Sequence, residues 1–172
     1  MEKQIQKDIF ISYKNDGSGN QFAARLCQDL EKMGYSVYFN SNEERGANFP
    51  ERLKTAVAGC RDFILILSKG CLEQLKRHED IDWVREEILT ARKHHKHIVP
   101  ILMEGVDLPK NAADMPEDLR FLPDIDAIRF PEQYVESPFL VLMGTLKAGH
   151  DGKDYYKDIF NGNPRFRVTE DL

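Results

Sequence analysis

Trp83 and Glu87 are the residues of this sequence whose types and spacing most clearly suggest chemistry. They lie four positions apart in residues 82–95, a segment predicted to be helical, so both side chains share one helical face. A carboxylate beside an aromatic wall can stabilise the positive charge that develops when a ribose separates from a pyridinium, since that leaving group departs neutral. Spacing alone does not distinguish this pair from a solvated glutamate and a core tryptophan.

The composition indicates one acidic globular domain. The chain has 172 residues, of which 41% are hydrophobic and 31% charged, with a net charge of −5. Its negative charge argues against a nucleic-acid surface, and no apolar run is long enough to cross a membrane. The first seven residues carry no secretion signal, so we expect a cytoplasmic protein with neither nucleic acid nor membrane as a partner. Cys27, Cys60 and Cys71 have no paired spacing, which argues against a disulfide framework or a zinc site.

Apolar segments alternate with amphipathic ones along the chain. Strands are predicted at residues 8–13, 36–39, 62–67, 98–102 and 125–130, and helices at 21–33, 50–59, 82–95 and 139–146. This alternation predicts a flavodoxin-like α/β fold, a three-layer sandwich with a central parallel five-stranded sheet and helices on both faces. Gly34 is expected in a left-handed conformation after the first helix, and Pro50 in the first turn of the second. Pro100 indicates an edge strand or an irregularity, and residues 105–123 a loop with room for one short helix.

In parallel α/β sheets the ligand crevice lies beyond the carboxyl ends of the strands. The predicted loops at that edge are residues 14–20, 40–48 and 68–80. Ser18-Gly19 could form a phosphate-cradling turn, but the glycine spacing is not that of a nucleotide-binding motif and a flexible turn is favoured. The His94-His95-Lys96-His97 segment lacks a pair four residues apart, so a polar helix end is favoured over a metal site.

The order of these elements resembles that of a TIR domain. Asp8-Ile9-Phe10-Ile11-Ser12-Tyr13 is similar to the first-strand box of this family, residues 40–49 occupy the position of its BB loop, and Trp83-Val84-Arg85-Glu86-Glu87 resembles the motif of TIR domains that cleave NAD. The similarity runs from about residue 7 to 148, and it is to the animal TIR domain that cleaves NAD in axon degeneration. It implies a TIR domain at residues 1–149 and a C-terminal extension at 150–172, where an extra helix, a dimer arm and the start of a truncated segment all remain open.

The resemblance also assigns roles to individual residues. Glu87 matches the catalytic glutamate, Trp83 the aromatic residue beside the reacting nucleotide, and Phe49 an aromatic residue that supports the nicotinamide end. Asn40 departs from the family, since many relatives have an acid there. The glycine of the Arg45-Gly46 pair comes one position earlier in this sequence than the glycine of the animal TIR domain that it resembles. The implied substrate-binding residues are Tyr13, Lys14, Arg45, Gly46, Phe49 and Trp83.

The activity that the resemblance implies is that of an NAD+ glycohydrolase or cyclase. Nicotinamide would leave, Glu87 would hydrogen-bond the ribose hydroxyls, and the product would be ADP-ribose or a cyclic ADP-ribose isomer. NAD+ would be the substrate, so no cofactor and no metal is expected. The family implies a homo-oligomer formed through TIR–TIR contacts, in which the BB loop of one protomer completes the pocket of its neighbour.

A compact TIR chain without a receptor or death-type domain suggests a bacterial protein. By family analogy it would act in antiphage immune signalling, either by depleting NAD+ or by making a nucleotide for a downstream effector, or it would interfere with the TIR signalling of a host. A non-catalytic TIR–TIR interaction module is the main alternative, against which the glutamate of the tryptophan motif argues. A deoxyribosyltransferase or a receiver domain is a weaker alternative, because a receiver needs an acidic cluster after its first strand.

Overall fold

The computed structural model of the chain describes residues 6–39, 49–77, 82–131 and 136–147, with the side chains at 49, 50, 136 and 137 excluded. The described elements begin with a strand and alternate between strands and α-helices, apart from the successive helices α3 and α4 and the successive strands β4 and β5. The strands are β1 (Ile9–Ser12), β2 (Val37–Phe39), β3 (Asp62–Leu67), β4 (His97–Leu102) and β5 (Ile128–Arg129). The helices are α1 (Ser18–Lys32), α2 (Phe49–Gly59), α3 (Lys69–Lys76), α4 (Trp83–Lys93) and α5 (Glu136–Thr145).

The five strands form one parallel sheet in the order β2-β1-β3-β4-β5, which confirms the predicted fold class. β3 lies at the centre and is buried along its whole length. Such a strand has no solvent face, which explains its continuous apolar sequence without alternation. Because all strands run the same way, their carboxyl ends meet at one edge of the sheet, which we call the carboxyl edge.

Each face of the sheet has its own hydrophobic core, because successive strand side chains point to opposite faces. Ile9 and Ile11 of β1 pack with α1 and α5 on one face. Phe10 points to the other face, where it stacks between Tyr38 and Phe63 at ring-centroid distances of 5.0 and 5.4 Å. The core on that second face is completed by α2, α3 and α4. A residue at the carboxyl edge is therefore assigned to a face by its position in the strand.

The ends of the first two helices follow local chain chemistry. Gly34 has a φ of 91° directly after the end of α1, and Pro50 is the second residue of α2, so both predictions are confirmed. α1 begins at Ser18, three residues before the predicted start at 21. Its first turn, Ser18 to Asn20, is polar and carries no apolar periodicity, so the hydrophobic pattern did not reveal it.

The prediction of a loop at residues 68–80 was wrong, because residues 69–76 form α3. The Ser68 side chain caps this helix and accepts a hydrogen bond from the amide of Cys71 at 3.2 Å. Cys71, Leu72 and Leu75 are buried on one side of α3. With only eight residues and a glycine at its second position, this helix is held by its cap and its buried face rather than by intrinsic propensity.

Pro100 lies within β4, which is an internal strand by sheet order and pairs with β3 along its whole length. In the described part of the ladder, however, β5 pairs only with Ile101 and Leu102 of β4. Among the residues that the structure describes, no strand therefore lies beside β4 on that side at Pro100, which is where a residue without an N–H is tolerated. The predicted fifth strand is present but short. Residues 105–123 contain turns of 3₁₀ helix, the last of which ends at Asp124.

The predictions for the C-terminal part of the chain lie outside the described residues. The predicted C-terminal extension at 150–172 is beyond the last described residue, and so is the boundary at 149. Among the residues that the structure covers, no helix combines the length and the apolar character needed to cross a membrane.

Candidate functional site

Glu87 lies beneath the carboxyl end of β1 and is 7% exposed. The Ser12 hydroxyl, at the last position of β1, donates a hydrogen bond to Glu87 Oε2. Ser12 itself is 1% exposed. A hydrogen bond from a hydroxyl to a charged carboxylate is stronger than one between neutral groups, and burial strengthens it further. Glu87 is therefore not a solvated helix carboxylate but a fixed group at the edge where ligands bind in this fold.

Trp83 begins α4 and lies one helical turn before Glu87. Its ring is partly buried and packs against the core on the α2, α3 and α4 face. Glu86 is exposed, as expected for a residue about 100° away around the helix. The structure thus places the aromatic residue and the buried carboxylate of the motif together on one side of α4.

Three interactions fix α4 and therefore Glu87. Asp82 caps the helix by accepting a hydrogen bond from the amide of Arg85 at 3.1 Å. The Arg85 guanidinium forms an ion pair with Asp118, in which Nε lies 3.1 Å from the carboxylate. Arg92 lies 4.1 Å from the ring centroid of Phe121. The helix is thus attached at both ends to the segment that precedes β5.

Cys71 is a buried thiol in the same neighbourhood. Burial raises its pKa well above the usual range, and the negative charges of Asp82, Asp16 and Glu87 raise it further, while Lys14 opposes them. The thiol is therefore neutral near pH 7 and is not an activated nucleophile. The charges of three carboxylates and one lysine therefore all act on this one thiol.

Asp16 occupies the anion position at the start of α1. Its Oδ1 accepts a hydrogen bond from the amide of Gly19 at 2.7 Å and one from the Ser18 hydroxyl at 3.3 Å. The expected flexible turn at Ser18-Gly19 is therefore the first turn of α1. The Gly19 amide, which a phosphate cradle at this turn would use, is engaged by a carboxylate of the chain itself.

Tyr13 and Lys14 follow β1 directly. The Tyr13 ring stacks on Phe39 with a centroid distance of 5.2 Å and packs against the core on the α1 face. It therefore points to the face opposite Glu87. Lys14 is half-buried, and its positive charge acts on Cys71. Of these two predicted substrate contacts, Lys14 is the one whose charge acts on the same thiol as the charge of Glu87.

The predicted BB-loop residues Arg45 and Gly46 lie outside the described residues, as does Asn40. The backbone of Phe49 begins α2, and its side chain is not described. α2 packs on the same face of the sheet as α4, because Leu53 and Val57 join the core to which Ile88 belongs. The backbone of Phe49 is therefore placed on the face that holds Glu87.

A cavity of about 400 Å³ opens at the same edge, beyond β3, β4 and β5. Neither Glu87 nor Trp83 lines it. Phe22 and Phe130, which meet edge to face at 5.2 Å in its wall, belong to the core on the α1 face. Val106, which also lines the cavity, belongs instead to the core on the Glu87 face, so the cavity spans the carboxyl edge without reaching Glu87. The cavity is lined by Ser18, Phe22, Ser68, Lys69, Met103, Glu104, Val106, Phe130 and Pro131.

The histidines between α4 and β4 have structural roles rather than the arrangement of a metal site. His94 caps the helix, His95 adopts a left-handed φ of 54°, and His97 Nδ1 lies 2.7 Å from the Asp62 carboxylate. His97 and Asp62 begin β4 and β3, so this pair is at the amino edge of the sheet, opposite the site. No cluster of three or more His, Cys, Asp or Glu residues suited to a metal ion occurs among the described residues.

Sequence reasoning missed three residues of this edge: Ser12, Asp16 and Ser68. The sequence places Ser12 in the first-strand box and assigns it no partner, although a serine that closes an otherwise apolar buried strand is itself a signal for a polar partner. Asp16 and Ser68 are bonded across 52 positions of sequence, and no local pattern could have paired them.

The sheet order, the site and the sequence together define the class of this protein. A family model for the TIR domain matches residues 9–136, and the chain belongs to that family. The match covers β1 to β5 and includes Ser12, Trp83 and Glu87.

Several curated relatives are similar over most of this chain. It is 33% identical over 142 residues to the NAD(+) hydrolase SARM1 of Danio rerio, and 28% identical over 138 residues to the NAD(+) hydrolase tir-1 of Caenorhabditis elegans. These alignments cover 82% and 80% of this chain but only 20% and 14% of those proteins. The chain thus spans a fifth or less of their length.

Solved structures share the fold. The TIR domains of the activated Roq1 resistosome superpose with a TM-score of 0.60 at 17% identity, covering 82% of this chain and 98% of theirs. A TIR-STING receptor from C. gigas gives a TM-score of 0.59 at 20% identity, covering 86% of this chain and 41% of that receptor. At such identities the likeness establishes the architecture and nothing more.

Proposed function

We propose that this protein cleaves NAD+ between nicotinamide and ribose. The observation that carries the proposal is the buried Glu87 carboxylate, held by Ser12 one helical turn from Trp83 at the carboxyl edge. Support comes from the NAD(+) hydrolases to which the TIR domain is similar. A carboxylate in surroundings of low polarity stabilises a neighbouring positive charge more strongly than one in water.

The reaction requires only positioning and charge stabilisation from the protein. When the bond between the ribose C1′ and the pyridinium nitrogen breaks, nicotinamide keeps the electron pair and leaves as a neutral molecule. The ribose gains oxocarbenium character, which Glu87 stabilises while it accepts hydrogen bonds from the ribose hydroxyls. Trp83 forms an aromatic wall beside the reacting end of the nucleotide. NAD+ is the substrate, and the proposal assigns no resident cofactor or metal.

The second half of the reaction determines the product. When water attacks C1′ and loses a proton, the products are ADP-ribose, nicotinamide and one proton. When a nucleophile of the same molecule attacks, either an adenine nitrogen or a ribose hydroxyl, a cyclic ADP-ribose isomer forms instead. A site that excludes water favours cyclisation.

We further propose that the active form is a homo-oligomer built through TIR–TIR contacts, working in the cytoplasm as part of antiphage immune signalling. ADP-ribose or its cyclic isomer would then be read by a nucleotide-sensing effector. An assembly whose pocket is completed by a neighbour loses activity on dilution. Specific activity should therefore rise with protein concentration, and a constant value down to nanomolar protein would count against the assembly.

The decisive experiment measures NAD+ consumption by micromolar purified protein, with chromatographic separation of the products. Glu87→Gln keeps the size of the side chain and removes its charge, so turnover should fall about a thousandfold. Glu86→Gln is the matched control, because it makes the same change on the exposed neighbouring residue.

Equal turnover in Glu87→Gln and the parent protein would refute the role of the carboxylate. Absence of turnover in both, even with a crowding agent that promotes assembly, would refute the enzyme and leave a TIR–TIR interaction module. The product peak separates hydrolysis from cyclisation in the same run.

A further inference from the structure

The loop between β1 and α1, residues 13–17, is attached to the start of α3 through Asp16. Asp16 Oδ2 accepts a hydrogen bond of 2.6 Å from the Ser68 hydroxyl. The other carboxylate oxygen, Oδ1, accepts from the amide of Gly19 within α1. One surface carboxylate therefore joins the loop, α1 and α3, and we call these hydrogen bonds the Asp16 clasp.

Two glycines leave room for this clasp. A Cβ at Gly70 would lie 2.7 Å from Asp16 Oδ2, and a Cβ at Gly19 would lie 3.0 Å from Oδ1 and 2.5 Å from the carbonyl oxygen of Lys14. Neither glycine has a positive φ, so backbone conformation does not explain either of them. Close approach of the carboxylate and the loop backbone does.

The clasp also determines the path of the chain at Lys14. The amide of Asp16 donates to the Lys14 carbonyl at 3.0 Å, which closes a tight turn within the loop. Lys14 and Glu87 both act electrostatically on Cys71, the third residue of α3, whose amide donates to Ser68. The loop that carries Lys14 is therefore attached to a helix that lies next to the proposed catalytic carboxylate.

We infer that Asp16 is a positioning residue for substrate binding: by docking the loop on Ser68, it sets where Lys14 meets the nucleotide. This inference rests on the proposed cleavage of NAD+. An ammonium group suits the diphosphate of that substrate, and holding it in place in the free protein reduces the ordering cost of binding. The chemical step belongs to Glu87, so the clasp affects binding and not bond breaking.

Steady-state kinetics of Asp16→Ala and Asp16→Asn test this directly. Asp16→Ala should raise KM for NAD+ about tenfold while kcat changes by less than about threefold, because the loop is released but Glu87 stays in place. Asp16→Asn retains one acceptor oxygen and should give an intermediate KM. A merely structural role predicts the opposite, a smaller active fraction with lower kcat and the same KM.

Two further variants test whether Ser68 is the partner that matters. Ser68→Ala removes the link to α3 but leaves Asp16 bonded to Gly19, and combined with Asp16→Ala it should raise KM no further than the single changes. Gly70→Ala retains every hydrogen-bonding group and adds one methyl group against Asp16 Oδ2. It should raise KM although alanine favours the helix.

Alkylation of Cys71 reports on the clasp without any substrate. In the folded protein this thiol is 1% exposed, so opening of the loop in Asp16→Ala should increase its labelling rate about tenfold, measured by peptide mass spectrometry. Cys27 and Cys60 are buried elsewhere and serve as internal controls. Asp126→Ala, a change at an exposed aspartate before β5, is the matched control variant.

The two measurements separate the two proposals. If the parent protein does not turn over NAD+, the proposed function fails, while Cys71 labelling still decides whether the clasp exists. If the parent is active, faster Cys71 labelling with an unchanged KM in Asp16→Ala overturns the positioning role. Equal Cys71 labelling in Asp16→Ala and the parent overturns the clasp itself.

Discussion

Two buried carboxylates occupy opposite edges of the sheet. Asp62, at the amino edge, is fully buried and receives His97 Nδ1 at 2.7 Å and the Lys147 amide at 2.9 Å. Glu87, at the carboxyl edge, accepts a hydrogen bond from the Ser12 hydroxyl, and its charge and that of Lys14 both act on the Cys71 thiol. Asp62 thus connects two adjacent strands and the chain after α5, whereas Glu87 connects a helix to the end of one strand. We interpret the first as a group for stability and the second as a group for chemistry.

The largest effect that would separate the two carboxylates is expected from Asp62→Ala. Removal of this fully buried carboxylate takes away the acceptor of the His97 ring and of the Lys147 amide, and should lower the free energy of unfolding by about 3 kcal/mol. NAD+ turnover per folded molecule should not change. Urea unfolding followed by circular dichroism, together with turnover at low temperature, measures both quantities.

Glu87→Ala supplies the other half of this test. It should lower the free energy of unfolding by about 1 kcal/mol, less than Asp62→Ala does, because the Ser12 hydroxyl loses this acceptor while the cost of burying the carboxylate is also removed. A large loss of stability in Glu87→Ala with a small loss in Asp62→Ala would reverse our assignment of the two carboxylates.

The next largest effect is expected when the hydrogen-bond partner of each carboxylate is removed. Ser12→Ala removes the hydroxyl that orients Glu87 and should lower turnover about thirtyfold, which corresponds to about 2 kcal/mol. His97→Ala makes the corresponding change at Asp62 and should reduce stability without reducing turnover. Equal turnover in Ser12→Ala and the parent protein would mean that Glu87 is held by other contacts.

A smaller effect is expected from the support of α4. Arg85→Ala removes an ion pair with Asp118 in which the arginine side chain is 14% exposed, and it should cost about 1.5 kcal/mol of stability. Arg77→Ala is the matched control, because its pair with Glu73 has side chains that are 66% and 51% exposed and should contribute less than about 0.5 kcal/mol. Thermal unfolding of both variants tests this difference, and equal losses would refute it.

The smallest predicted effect is the pH dependence of stability that comes from Cys60, the thiol on which Asp62 acts. Burial raises the pKa of Cys60 to about 11 from an ordinary value near 9, with Asp62 contributing and Lys96 opposing. The unfolded thiol therefore loses its proton near pH 9 while the folded one keeps it to about 11. Stability that is fully present below pH 9 is lost as the pH rises between these values.

Unfolding measured at pH 8 and pH 10 under reducing conditions checks this expectation. Cys60→Ala should make the fall in stability between these two pH values smaller by about 1 kcal/mol. The readout is the difference between the two pH values, so any constant cost of the substitution cancels. An unchanged pH dependence of stability in Cys60→Ala would contradict the raised pKa of Cys60 in the folded protein.

Local patterns predicted much of the fold. The continuous apolar run of β3, the left-handed Gly34 and the helical start at Pro50 follow from neighbouring residues alone. The sequence pattern did not predict α3, because this helix is short and polar on its outer side. Its cap and its buried face at Cys71 can be identified only once the sheet is in place.

The candidate site divides in the same way. The pairing of Trp83 with Glu87 is a helical repeat and could be predicted. The pairing of Glu87 with Ser12 depends on how α4 lies against β1, and the orientation of Tyr13 toward Phe39 depends on which face each strand residue takes. Such tertiary relations are not encoded in any short window of sequence.

The hydrogen bond between Ser12 and Glu87 joins residues 75 positions apart. Contacts at this separation form late in folding, because the intervening chain must first be ordered. During synthesis on the ribosome, β1 is complete long before α4 emerges, so the unfinished chain holds its serine without the carboxylate. The proposed cleavage of NAD+ would therefore begin only after the domain has folded, and recovery of turnover during refolding should lag behind recovery of helical signal.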